Sequence, residues 1–112
     1  MKIAIPLTGG RLSAHFGHCE RFALLDADQG SGAIVAREEV VPPPHEPGSY
    51  PAWLAERGAT HIISGGMGQQ AQNLFARSNI QVIVGAPALD PEEIARMYLQ
   101  GELKAGDNAC DH

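Results

Sequence analysis

No cluster of lysine or arginine occurs along these 112 residues, where eight bases stand against thirteen acids for a formal charge of −5. Phosphate backbones are bound by grouped cations, so nucleic acid is not an expected partner. An anionic membrane surface is set aside for the same reason. Nor does any apolar stretch approach the length that spans a bilayer, and MKIAIPLTGG turns polar and glycine-rich after seven residues, too soon for the core of a signal peptide. The expected compartment is therefore the cytoplasm. Cysteine is scarce, with only Cys19 and Cys110. In a reducing compartment both stay thiols, and a disulfide between them ranks below metal ligation or a free thiol.

Motifs of several enzyme classes are also missing. There is no G-x-S-x-G elbow and no G-x-x-x-x-G-K-[ST] loop. A nuclease of the ribonuclease H type needs carboxylates on its central strands to hold divalent metal, and KIAIP has none. Glu38 and Glu39 adjoin on a strand and so point to opposite faces, which suits paired acid–base work poorly. A nucleophilic Cys19 with a neighbouring histidine would need an orienting residue and an oxyanion hole that the sequence does not identify. The expectation is a protein that is not an enzyme.

What is present reads as one domain of ordinary globular composition, 44% hydrophobic and 19% charged. Residues 2–6 form a short apolar run, a buried strand; residues 21–26 and 33–41 make two more, an antiparallel hairpin turning at DADQGSG. PPPHEPG forbids regular structure. A short amphipathic helix follows, with Tyr50, Trp53 and Leu54 on one face, Ser49 as a cap and Gly58 at its end. Residues 60–64 and 80–84 are strands joined by a helix whose apolar face is Met67, Ala71, Leu74 and Phe75, which implies a parallel crossover. The last helix has Asp90 as its cap, Pro91 at the first helical position, Glu93 completing a capping box, and a buried stripe of Ile94, Met97 and Tyr98 before Gly101. The sum is an α/β domain over residues 1–101, a mixed five-stranded sheet flanked by about three helices, with a polar tail over residues 102–112.

Two phrases carry soft metal donors. HFGHC places His15, His18 and Cys19 within five residues, and NACDH ends the chain with Cys110 and His112. Imidazole and thiolate ligate zinc, copper and iron–sulfur clusters. H-x-x-H-C alone is not a standard finger spacing, and a hydrogen-bonded loop histidine explains it about as well. If the tail folds back, Cys19, Cys110, His112 and one of His15 or His18 complete a four-ligand set. His45 in the proline loop is a further candidate, although a solitary loop histidine is more often simply solvated; His61, at a strand start, reads as structural.

SGGMGQQA is the third feature. Gly66, Gly68 and Ala71 satisfy G-x-G-x-x-A between a strand and a helix, the context of a dinucleotide fingerprint. Residues 69–89 contain no Asp or Glu to hold a ribose, which argues against a dinucleotide. What remains is the physics of the turn. Glycines let free backbone N–H groups approach an anion at the positive end of a helix, whether phosphate, oxyanion or the sulfides of a cluster. A tight strand-to-helix turn with no ligand would also use these glycines.

Taken in order, MKIAIP, the HFG of His15 to Gly17 followed by Phe22, ATHIISGGMGQQA, SNIQVIVG, Tyr98-x-x-Gly101-x-Leu103 and NACDH resemble the dinitrogenase iron-molybdenum cofactor biosynthesis family, the nitrogenase accessory factors and their small stand-alone relatives. The resemblance implies a ribonuclease H-like fold without nuclease activity, and a cytoplasmic protein that binds a metal–sulfur cluster, iron–sulfur or molybdenum-containing, and passes it to a client apo-protein. By the family pattern His15 is the leading cluster contact, with Gly65, Gly66, Met67 and Gly68 beside it. The alternative is a small interaction module in which zinc pins the tail. Visible colour separates the two, since a loaded cluster absorbs and zinc does not.

Overall fold

The computed structural model describes residues 1–14, 19–28, 30–43 and 49–103. Its strands are β1 (Lys2–Thr8), β2 (Arg11–Leu12), β3 (Arg21–Ala27), β4 (Ile34–Val40), β5 (His61–Ile63) and β6 (Gln81–Ile83), and its helices α1 (Ser49–Glu56), α2 (Gln69–Arg77) and α3 (Pro91–Leu99). They form one mixed sheet in the order β4-β3-β1-β5-β6, with β2 paired to β1. β1, β5 and β6 are parallel, while β3 and β4 continue the sheet antiparallel on the other side of β1. Five of these strands match the expected ones, and β2 is an addition. After Thr8 the chain reverses through Gly9 and Gly10, and Leu12 comes to lie opposite Leu7. Two residues are too few to show a period, so this strand leaves no mark in the sequence.

The alternation of side chains along each strand divides the core in two. Ala4, Phe22, Leu24 and Ile62 face α1 and α2, where they pack with Tyr50, Leu54, Met67 and Phe75. Ile3, Ile5, Leu7, Ala23, Leu25 and Ile63 face α3 and meet Ile94 and Ala95. The result is a sheet between two helical layers. Burial of the middle strand on both faces explains why β1 reads as an unbroken apolar run rather than as an alternating one.

Helix ends follow their sequence signals with small corrections. Asp90 caps α3 by accepting the Glu92 N–H at 3.1 Å, so the capping contact shown involves the second helical residue rather than Glu93. The buried stripe of α3 is Pro91, Ile94 and Ala95. Met97 and Tyr98 are only half-buried, and the Tyr98 ring is tilted against that of His61 with the centroids 5.5 Å apart. Ser49 is the first residue inside α1 rather than its cap. Gly58 and Gly101, at φ +84° and +72°, take the left-handed backbone that follows α1 and α3.

Candidate functional site

Three parallel strands point their carboxyl ends the same way, and the loops that follow them are laced together by backbone hydrogen bonds. Ligand sites of open α/β sheets lie at this end of the strands. Beyond β1, the Ser13 N–H donates to the Pro6 carbonyl at 2.8 Å. Beyond β5, the Gly65 N–H donates to the Ser13 carbonyl at 3.2 Å, and Gly65 in turn accepts from the Gly85 N–H, beyond β6, at 3.1 Å. The Ala86 N–H donates to the Ser64 carbonyl at 3.2 Å. Ser64 is fully buried, and its hydroxyl donates to the Gly66 carbonyl at 3.0 Å. These bonds hold the glycine turn rigidly against the segment that leads into His15.

Gly65 is required by contact and not by an unusual φ. A Cβ built there would lie 2.8 Å from the Ala14 Cα and 3.2 Å from both the Ala14 and Ser13 carbonyl oxygens. Since these are backbone atoms, no rotamer change relieves the clash. Gly66 is buried, and Met67 is 0% exposed in the core on the α1 and α2 face. Met67 therefore serves as the anchor of the turn, with its carbonyl accepting from Gln72 Nε2 at 2.9 Å. Gly68 is exposed, stands at the N-cap of α2 with φ −66° and ψ 157°, and supplies no side-chain cap. No acid stands in the first turn of α2. The positive end of this helix thus faces outward without a built-in carboxylate.

Of the candidate ligands, His15, His18, His45, Cys110 and His112 lie outside the described residues, and only Cys19 can be placed. It is half-buried and packs against the core on the α1 and α2 face. Burial pushes its thiol up to about 11. Among the described residues no three His, Cys, Asp or Glu side chains gather in a way that would hold a metal. The tail departs from elsewhere. Leu89 accepts from the Leu12 N–H at 3.0 Å beside the end of β1, whereas Tyr98 reaches His61 at the start of β5, so α3 carries the chain back along the sheet. Leu103 then packs on the α3 face, opposite to Cys19. Cys110 is seven positions beyond Leu103, a reach of about 25 Å when fully extended. Any joint use of Cys19 and Cys110 would take the tail around the sheet.

Ser13 and Ser64, both buried, fasten the site, yet neither stood out in the sequence. A small hydroxyl residue at the end of a buried strand was the only signal. A separate groove is lined by Leu7, Gly10, Glu20, Arg21 and Glu39. Glu20 Oε1 there already accepts the Gly9 N–H at 2.7 Å, and two carboxylates against one guanidinium do not favour an anion.

The state of Cys19 gives a first expected result. With the thiol displaced upward by burial, the metal-free protein should react with iodoacetamide at pH 7.5 on the order of tenfold more slowly at Cys19 than an unfolded control, the smaller thiolate fraction being partly offset by the greater nucleophilicity of a more basic thiolate. Peptide mass spectrometry of timed samples measures this directly. Labelling clearly faster than the control would restore a nucleophilic role.

Comparison with known proteins extends this geometry. The chain is 28% identical over 110 residues to the uncharacterized protein MJ0580 of Methanocaldococcus jannaschii, covering 93% of this chain and 90% of that one. Its fold is similar to the crystal structure of PH0822, with a TM-score of 0.88 at 24% identity over the whole of both chains. It is also similar to the apo form of the orange protein from Desulfovibrio gigas, with a TM-score of 0.75 at 21% identity over 96% and 93% of the two chains. A family model described as dinitrogenase iron-molybdenum cofactor matches residues 1–101, from β1 through the end of α3. The chain belongs to the dinitrogenase iron-molybdenum cofactor family.

Proposed function

We propose that this protein is a non-catalytic carrier that takes up an anionic metal–sulfur cluster, iron–sulfur or molybdenum-containing, and releases it to a client apo-protein in the cytoplasm. The observation that carries this reading is the contact of Gly65 with Ser13 and Ala14, which joins the glycine turn to the segment running into His15. In this reading His15 supplies the leading ligand to the cargo, and backbone amides at Gly68 and the first turn of α2 donate to its sulfides. The family's iron-molybdenum cofactor and the positive, acid-free start of α2 support an anionic cargo. The formal charge of −5 opposes it only weakly, because screening over about 8–10 Å removes distant acids. Few protein ligands make for loose binding, which suits transfer.

Anaerobic reconstitution with ferrous iron and sulfide, with and without thiomolybdate, tests the proposal. The expected product is coloured, carries acid-labile sulfide, and loses most of its visible absorption when His15→Ala replaces the wild-type chain. Gly68→Asp is the informative second variant. A carboxylate at this N-cap should stabilise α2 by about 0.5–1.5 kcal/mol while repelling the cargo. A higher melting temperature with lower cluster retention is thus expected from one substitution. A colourless wild-type product that holds only zinc would overturn the carrier reading in favour of the zinc-pinned module.

A further inference from the structure

β4 and β6 are the two outer strands of the sheet, and among the described residues no strand pairs with the far side of β4. Outer strands are usually kept short or blunted by charges, proline or a bulge. β4 runs for seven residues without lysine or proline, and what blunts it is a bulge and the charges of Arg37, Glu38 and Glu39, which a partner of matching pattern can pair. Val35 and Val41, at 68% and 67%, are the large hydrophobic side chains exposed among the described residues, and they bracket this one strand. A bulge opposite Asp26 and Ala27 releases Val35 from pairing with β3, while Ala36 to Val40 stay in regular register.

The chemistry of residues 35–41, VAREEVV, is nearly self-complementary about Glu38. Place a second copy antiparallel on a two-fold axis at Glu38. Val35 then faces Val41 of the second copy, Ala36 faces Val40, and Arg37 faces Glu39, each pair occurring twice. Neighbouring registers fail: centring on Arg37 sets Val35 against Glu39, and centring on Glu39 sets Val41 against Arg37. Arg37 is already held on the α3 face, 3.0 Å from Glu39 and 3.3 Å from Glu92. Its guanidinium, already ordered by these two carboxylates, would share its charge with a third, Glu39 of the second copy, which keeps the gain from each pair small. We propose that β4 is the seam of a homodimer in which two copies pair their outer strands about Glu38 into one continuous sheet. A seam one strand wide covers less than the roughly 1,600 Å² of a standard interface, and Glu38 opposes itself across the axis. The dimer is consequently weak and concentration-dependent.

Sedimentation equilibrium of the full chain, from about 10 µM to about 1 mM, tests this in the range where small interfaces assemble. The expected result is a reversible monomer–dimer equilibrium. Glu39→Arg sets arginine against arginine twice and should weaken it roughly tenfold. The double exchange of Arg37→Glu with Glu39→Arg recreates both pairs and should restore it to within about threefold. Glu38→Gln removes the like-charge opposition and should tighten it about two- to fivefold. Circular dichroism melts on each variant confirm that these surface changes leave the fold intact. A chain that stays monomeric to the top of the range overturns the proposal. So does a dimer indifferent to Glu39→Arg, which must use another surface, or one that the double exchange fails to restore.

Discussion

Truncating Phe22 to alanine is expected to destabilise the protein by about 3–5 kcal/mol, a large share of the roughly 5–15 kcal/mol available to a domain of this size. Phe22 is fully buried on β3, with its ring edge-on to Tyr50 at 5.4 Å and tilted to Trp53 at 5.7 Å. It is the sheet residue whose ring meets both aromatic rings of α1, within a cluster that also holds Ala4, Leu24 and Ile62. Its removal forfeits the transfer free energy of an aromatic ring, the edge-to-face contact, and the packing around a cavity that rigid backbone on β1 and β4 cannot close. Urea denaturation followed by circular dichroism measures the loss as a lower midpoint with an unchanged slope. Val35→Ala on the exposed strand is the control, expected within about 0.5 kcal/mol of the wild type. A Phe22→Ala midpoint close to that control would mean that the aromatic cluster does not hold α1 in place.

Phe22 also shows how far the sequence reaches. Its place in RFALLD, a short run with apolar residues at every inner position, marks a strand buried on both faces, and β3 extends only one residue beyond the expected span. The same physics made β1, β5 and β6 legible, since continuous apolar runs bounded by Gly or polar turns have few other solutions. Two features escaped because tertiary contact sets them. β2 exists by virtue of Leu12 finding Leu7 across a glycine reversal, and the inner stripe of α3 runs through Ala95 while Tyr98 tilts against His61. SGGMG does lie between a strand and a helix, β5 and α2, as its context in the sequence implied. The division of labour within it was hidden, because Gly65 answers to Ala14, fifty-one positions away along the chain.

That division can be measured by replacing each glycine with alanine. Gly65→Ala is expected to destabilise the fold by about 1–3 kcal/mol and to abolish cargo retention even in the fraction that remains folded. The added methyl would stand 2.8 Å from the Ala14 Cα, so either the β5 turn or the segment leading to His15 must move. Movement of the turn breaks the Gly65–Ser13 and Gly85–Gly65 hydrogen bonds, which are the ties between the three loops. Movement of the segment displaces the leading ligand. Gly68→Ala meets nothing within 4 Å and already has a φ that any residue adopts. It should cost under about 1 kcal/mol, as expected for a glycine N-cap exchanged for alanine, and should leave the reconstituted spectrum in place. Paired melting curves and visible spectra of the two variants decide the matter. Equal loss of colour from both would locate the cargo on the amides of α2 alone, and loss from Gly65→Ala only would tie it to the junction where the two loops touch.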